Sequence, residues 1–148
     1  MEKRICEVLN WQFTIPNAFQ FLDRYTEIAL DAINNVKVRN RVKWLARYGM
    51  ERFNLHVQAL QYCPSLLAAG ALYTALMLTS NNWTKDCETC SGYSTQNFLR
   101  STGNKLNLFE KYKISILDFD SDLYHVIVDK YSGSDRGCVS SLRKKPRF

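Results

Sequence analysis

Tyr62-Cys63-Pro64-Ser65-Leu66-Leu67-Ala68-Ala69-Gly70-Ala71-Leu72, continued by Tyr73-Thr74-Ala75-Leu76-Met77-Leu78-Thr79, is the stretch that decides the fold. Proline at the first position of a helix loses no hydrogen bond, so the break around Pro64 predicts a helix starting there. From Ser65 to Thr79 the helix is apolar nearly all round, which places it in the middle of a bundle rather than on a surface. Ala68, Ala69, Gly70 and Ala71 leave room for neighbouring helices to come close. The run from Leu66 to Thr79 is too short to span a bilayer.

Upstream, the 3.6-residue period continues, and no long stretch alternates with period two. A third helix carries Val38, Val42, Leu45, Tyr48 and Phe53 on one side and Lys37, Arg39, Arg41, Lys43 and Arg47 on the other. The second helix begins with a capping box, Asn17 with Gln20, and Ile15 or Pro16 can pack against Phe21 as a staple. Its stripe is Phe21, Leu22, Tyr25, Ile28, Ala29 and Ala32, and Asn34-Asn35 ends it. A short first helix from Glu2 to Asn10 presents Ile5, Val8 and Leu9, with Cys6 beside them.

Downstream, Asn81 to Gly92 reads as a polar loop containing Trp83. Ser94 caps a fifth helix with Phe98, Leu99, Leu106 and Phe109 inward. A last helix from about Asp122 to Tyr131 uses Leu123, Val126 and Ile127. Ser132-Gly133-Ser134 then closes the ordered domain. The expected architecture is all-α: a five-helix bundle preceded by one short N-terminal helix.

Composition supports a packed domain, since 46% of the 148 residues are hydrophobic and 13% are aromatic. No segment reads as a signal peptide, because Glu7 and Asn10 interrupt the apolar run that should follow Met1-Glu2-Lys3-Arg4. The net charge of +6 sits mostly in the tail, where Arg136, Arg143, Lys144, Lys145 and Arg147 occur without an acid, which leaves about +1 on the body. A nearly neutral body argues against nucleic-acid binding, which needs phosphate neutralisation. The tail reads as a solvated terminus, with a nuclear-localisation patch or a non-specific phosphate contact as the alternatives.

The five cysteines are odd in number and favour free thiols in a reducing compartment. Cys87-Glu88-Thr89-Cys90 has C-x-x-C spacing. A zinc site would need a second ligand pair, whereas His56 and His125 are isolated and Cys138 is distant. No Gly-rich phosphate loop or nucleophile elbow is present, so no catalytic residue is assigned and the chain is read as a non-enzyme without cofactor or metal.

Four motifs, in order, carry a family resemblance. Pro16 followed by Phe21-Leu22-Asp23-Arg24-Tyr25 resembles the P-x-x-x-x-F-L-x-R-Y start of a cyclin's second box. Tyr62 to Ala71 resembles that family's Y-x-P-S-x-x-A-A-A-A helix. Trp83 with Ser91-Gly92-Tyr93-Ser94 resembles its W…T-G-Y-S element. Lys130-Tyr131-Ser132 with Gly137-Cys138-Val139 resembles the K-Y-S…V ending of B-type mitotic cyclins. The stretch from Tyr48 to Tyr62 is longer than the family norm.

The resemblance implies residues 1–15 as the last helix of a first cyclin box plus linker, 16–132 as the C-terminal box, and 133–148 as a basic, flexible tail. The rest of the first box is not in this sequence, which implies a truncated chain, a fragment or a short natural product. Its removal would expose the apolar surface that faces it and invite self-association. The implied function is that of a regulatory subunit of a cyclin-dependent kinase in cell-cycle control, in nucleus and cytoplasm. It binds the kinase through the full-length cyclin and makes no membrane contact. Glu2 is implied as one member of a paired Lys–Glu kinase contact. Arg39 and Lys43, i and i+4 on one helix face, with Arg24 from the preceding helix, form a candidate phosphate-binding face for phosphorylated regulatory proteins. A solvated charged face is the simpler reading of these residues, and Asp23 beside Arg24 suits it. The alternative function is an isolated helical interaction module similar to transcription factor IIB, contacting proteins or nucleic acid.

Overall fold

A computed structural model describes residues 1–12, 16–100, 107–117 and 125–140. Among them are eight α-helices and no strand: α1 Glu2–Val8, α2 Ala18–Asp31, α3 Val36–Asn54, α4 Pro64–Leu78, α5 Lys85–Ser91, α6 Thr95–Leu99, α7 Leu108–Leu117 and α8 His125–Lys130. Short 3-10 turns cover Val57–Gln61 and Ser134–Arg136. The all-α expectation holds. No helix among the described residues is long and apolar enough to cross a membrane.

α4 is the axis of the bundle. Every residue from Leu67 to Leu76 is buried, and α2, α3 and α7 pack around it. Thr74, in the middle of that run, turns its hydroxyl back onto the Gly70 carbonyl at 2.8 Å, so its own donor is matched within the helix. α7 lies against both α3 and α4, and a glycine marks each contact. A Cβ on Gly70 would stand 2.7 Å from Leu108 Cδ2, and one on Gly49 would stand 2.8 Å from Ile116 Cδ1. Both glycines are there for close approach rather than for backbone freedom. Tyr112 locks the seam by donating its hydroxyl to the Leu67 carbonyl at 2.8 Å.

The caps fall where the sequence puts them. Asn17 and Gln20 form the reciprocal box at the start of α2, each bond 3.1 Å long. Ser94 opens α6 in a box with Asn97. α2 ends at Asp31, short of the expected Asn34-Asn35, and Asn35 serves the next helix. Its side chain accepts from the amides of Lys37 at 2.9 Å and Val38 at 3.4 Å, which starts α3.

Downstream of α4 the expected layout changes in four places. The expected polar loop contains α5, because Cys87 and Cys90 act as its apolar residues: Cys87 is buried and Cys90 is half-buried against the core. The single fifth helix is two, α6 and α7, and Leu99 is exposed. Val126 of α8 is exposed too, since that helix buries no residue. The packed chain also runs past Gly133, where a flexible tail was expected, to Val139 and Ser140, both buried. The expected roles of Ile15, Leu106, Asp122 and Leu123, and of the tail cations Arg143, Lys144, Lys145 and Arg147, fall outside the described residues.

A cluster of rings holds α5 and α6 to α4. Phe98 stacks on Tyr73 at 4.7 Å between centroids and meets Trp83 edge-on at 5.2 Å. Trp83 donates its indole N–H to the Tyr93 carbonyl at 3.1 Å. Residues 131–140 form a strap over α3. Trp44, Tyr48 and Glu51, spaced i, i+4 and i+7, share one helix face. Tyr131, 1% exposed, meets Trp44 and Tyr48 edge-on and donates its hydroxyl to Glu51 Oε1 at 2.7 Å. Lys130 reaches the same oxygen at 2.7 Å. Arg136 lies over the rings of Trp44 and Tyr131 and donates to the Lys130 carbonyl at 2.8 Å.

Candidate functional site

Three surfaces concern function. The first is α1. Glu2 is its first residue and is exposed, and no residue of α1 is buried. Met1, Arg4, Ile5, Val8 and Leu9 line a shallow, largely apolar groove. A seven-residue helix is too short to be stable on its own propensity.

The second is the basic side of α3. Arg39 is half-buried, and its Nε donates to the Ile33 carbonyl just past the end of α2, which fixes the guanidinium at the α2–α3 turn. Lys43, one turn on, is exposed. Arg47 pairs with Asp23 and thereby sets the level of α2 against α3. Arg24 therefore stands at the level of Arg47, eight residues or about 12 Å along the pair from Arg39. Its charge bears instead on Tyr25, whose phenol is raised by burial and by Tyr93 and Cys90 and is lowered by Arg24. Arg39 and Lys43 thus share one end of α3, and Arg24 is displaced from them along α2.

The third surface is one that sequence reading passed over. The Y-x-P-S and G-Y-S motifs meet in space: Ser65 Oγ lies 2.9 Å from the Tyr93 hydroxyl, and Cys63 Sγ lies 3.4 Å from each. Side-chain hydrogen bonds from Ser65, then Tyr93, hold the Cys63 thiol below its usual value against the opposing effect of burial. Both motifs are visible in the sequence, whereas their contact across 28 residues is not. The strap over Trp44 was missed in the same way, although Lys130-Tyr131-Ser132 had been singled out. Among the described residues no group of three or more His, Cys, Asp or Glu side chains could hold a metal ion.

A helical bundle built on one helix buried over ten successive residues, with the Y-x-P-S and G-Y-S motifs in contact beside it, defines a class of domain. The family model for the cyclin C-terminal domain matches residues 16–145, and the chain belongs to that family. Its relatives are mitotic and B-type cyclins. Cyclin-B1-3 of Arabidopsis thaliana is 33% identical over 144 residues, covering 96% of this chain and 31% of the relative. G2/mitotic-specific cyclin-1 of Antirrhinum majus is 31% identical over 96% of this chain and 28% of its own length. G2/mitotic-specific cyclin-B of Hydra vulgaris is 31% identical over 90% of this chain and 34% of its own length. The chain thus spans about a third of the length of the curated relatives it matches.

Proposed function

We propose that this chain is the C-terminal domain of a mitotic, B-type-like cyclin, a non-catalytic regulatory subunit of a cyclin-dependent kinase in cell-cycle control, acting in nucleus and cytoplasm. The observation that carries this reading is the match of the cyclin C-terminal domain over residues 16–145, with mitotic cyclins aligned over nearly the whole chain. A cyclin activates its kinase by binding the active arrangement better than the inactive one, with no chemistry of its own. In this role the bundle around α4 is a rigid support, and α1 with Glu2 is the edge that continues toward the kinase-binding part of a full-length cyclin. Phosphorylated regulatory proteins are proposed for the Arg39–Lys43 end of α3, where Ile33 already orients one guanidinium. Nucleic acid is not a proposed partner, given the nearly neutral body.

The test is calorimetric titration of the isolated chain against a purified mitotic cyclin-dependent kinase, with kinase activity read in parallel. Weak or absent binding and no activation are expected, because the isolated chain spans only about a third of a mitotic cyclin. A chimera with this chain in place of the last third of a mitotic cyclin should activate the kinase. Full activation by the isolated chain, or a folded chimera that neither binds nor activates, would overturn the reading.

A further inference from the structure

We infer that the strap side of α3 is a docking surface for an acidic, carboxylate-rich segment of a partner protein. The inference goes beyond the phosphate-binding reading of Arg39 and Lys43, because it concerns the other flank of the helix. Arg39, Lys43 and Arg47 are spaced four apart and turn toward α2, where Arg39 meets Ile33 and Arg47 meets Asp23. Lys37, Arg41, Trp44, Tyr48 and Glu51 are spaced by four, three, four and three, and so form a second row. The strap covers the later part of this row, at Trp44, Tyr48 and Glu51. Lys37 and Arg41 continue the row beyond it. Both are exposed, and neither has an ion pair among the described residues.

Folding gathers at this row charges that lie far apart in the chain. α3 has six cations and one acid, Glu51, and of the cations Arg52 is fully buried. Residues 130–148 also have six cations and one acid, Asp135. Each stretch is +5, so against a total of +6 the rest of the chain carries −4. The near-neutrality of the body is therefore an average over a basic side and an acidic remainder. The strap joins the two basic stretches. The Arg136 guanidinium lies 5.9 Å from the Trp44 ring centre and that of Arg47 lies 5.7 Å from it, while Arg41 precedes Trp44 by about one turn. Like charges gathered in this way repel one another, and an anionic ligand relieves the repulsion.

The spacing suits carboxylates carried one by one. Lys37 and Arg41 stand about 6 Å apart along the helix axis. Alternate residues of an extended segment recur about every 6.6–6.8 Å. A guanidinium takes a carboxylate through two parallel N–H groups. Acids stay at the edges of this surface: the Asp135 side chain is 75% exposed beside Arg136, and that of Asp23 is 52% exposed beside Arg47. A nucleic-acid duplex, with a phosphate charge about every 1.7 Å, would be driven against them, whereas a segment with spaced carboxylates need not meet them.

The probe is a fluorescein-labelled, sixteen-residue peptide that alternates glutamate with serine, titrated with the intact chain and followed by anisotropy. Binding is expected at low salt and should weaken as salt rises. Lys37→Glu with Arg41→Glu should weaken it about tenfold, and Lys37→Gln with Arg41→Gln should give a smaller loss in the same direction. Lys85→Glu with Arg100→Glu changes the net charge as much as the first pair does. These two residues lie on α5, which packs on α2, and at the end of α6, which packs on α7. That pair should weaken binding by less than about threefold, since most of its effect is screened. Absent binding, equal losses from the two charge reversals, affinity that salt leaves unchanged, tighter binding of a sixteen-base-pair DNA duplex, or a loss seen only on truncation after Ser140 would overturn the proposal.

Discussion

Phe98→Ala should lose about 3–5 kcal/mol of stability, the usual range for removing a fully buried aromatic ring. Phe98 is completely buried, stacked on Tyr73, edge-on to Trp83 and 6.4 Å from Tyr93 between ring centroids. α6 has only five residues, too few to hold a helix by its own hydrogen bonds. The ring is therefore what keeps α6, and the chain reversal before it, on α4. In urea, with a slope of about 1–3 kcal/mol per molar for a domain of this size, the midpoint should fall by more than about 1 M. Leu99→Ala, the next residue on the same helix but 47% exposed, should change stability by less than about 0.5 kcal/mol. Equal losses from the two variants would mean that the aromatic cluster does not anchor this side of the bundle.

The second large effect is expected at Tyr131. Tyr131→Ala removes a ring packed on Trp44 and Tyr48 together with the donor to Glu51, and should also cost about 3–5 kcal/mol. Limited proteolysis should then cut within residues 131–140, which the wild-type strap protects. Tyr131→Phe separates the two contributions. It keeps the ring and removes one charge-assisted hydrogen bond, at a cost of about 1.5 kcal/mol, the low end for such bonds because Lys130 still serves the carboxylate. Proteolysis no faster in the Ala variant than in wild type would show that the strap is held by something else.

Alkali should act through the same side chain. Burial first, and then the Glu51 carboxylate, push the Tyr131 phenol well above its ordinary value near 10, and burial does the same to Tyr112. A folded state that holds its phenol protons more tightly than the unfolded state has that stability in full below pH 10 and loses it as pH rises toward the folded values. Stability measured across that range should therefore fall with pH. The fall should be shallower in Tyr131→Phe, and an unchanged slope would show that Tyr131 ionises equally in both states.

Local chemistry was legible in the sequence. α4 was readable because ten successive buried residues leave no polar side to mislead. The starts of α2 and α6 were readable because a cap and its reciprocal partner are only three residues apart. α5 was misread because thiols served as its core residues in a stretch otherwise made of Lys, Asp, Glu, Thr and Ser. The extent of the strap was hidden for another reason. Its Ser and Gly residues have the composition of a loose end, and the groups that bind it lie on α3, 80 residues earlier for the Tyr131–Glu51 bond. Likewise, Arg24, Arg39 and Lys43 could be assigned to helix faces from spacing alone. Their levels along the α2–α3 pair follow only from Asp23–Arg47 at one end and Ile33–Arg39 at the other.

That separation of 80 residues also has a meaning in time. A ribosome adding roughly 5–20 residues per second needs about 4–16 s to get from Glu51 to Tyr131. During that interval α2, α3 and α4 can assemble, while the Trp44 and Tyr48 side of α3 faces solvent without its cover. The domain is thus born with a sticky aromatic strip that Tyr131, made much later, closes. The nascent chain is most open to misassociation at α3, long after α3 itself has been made.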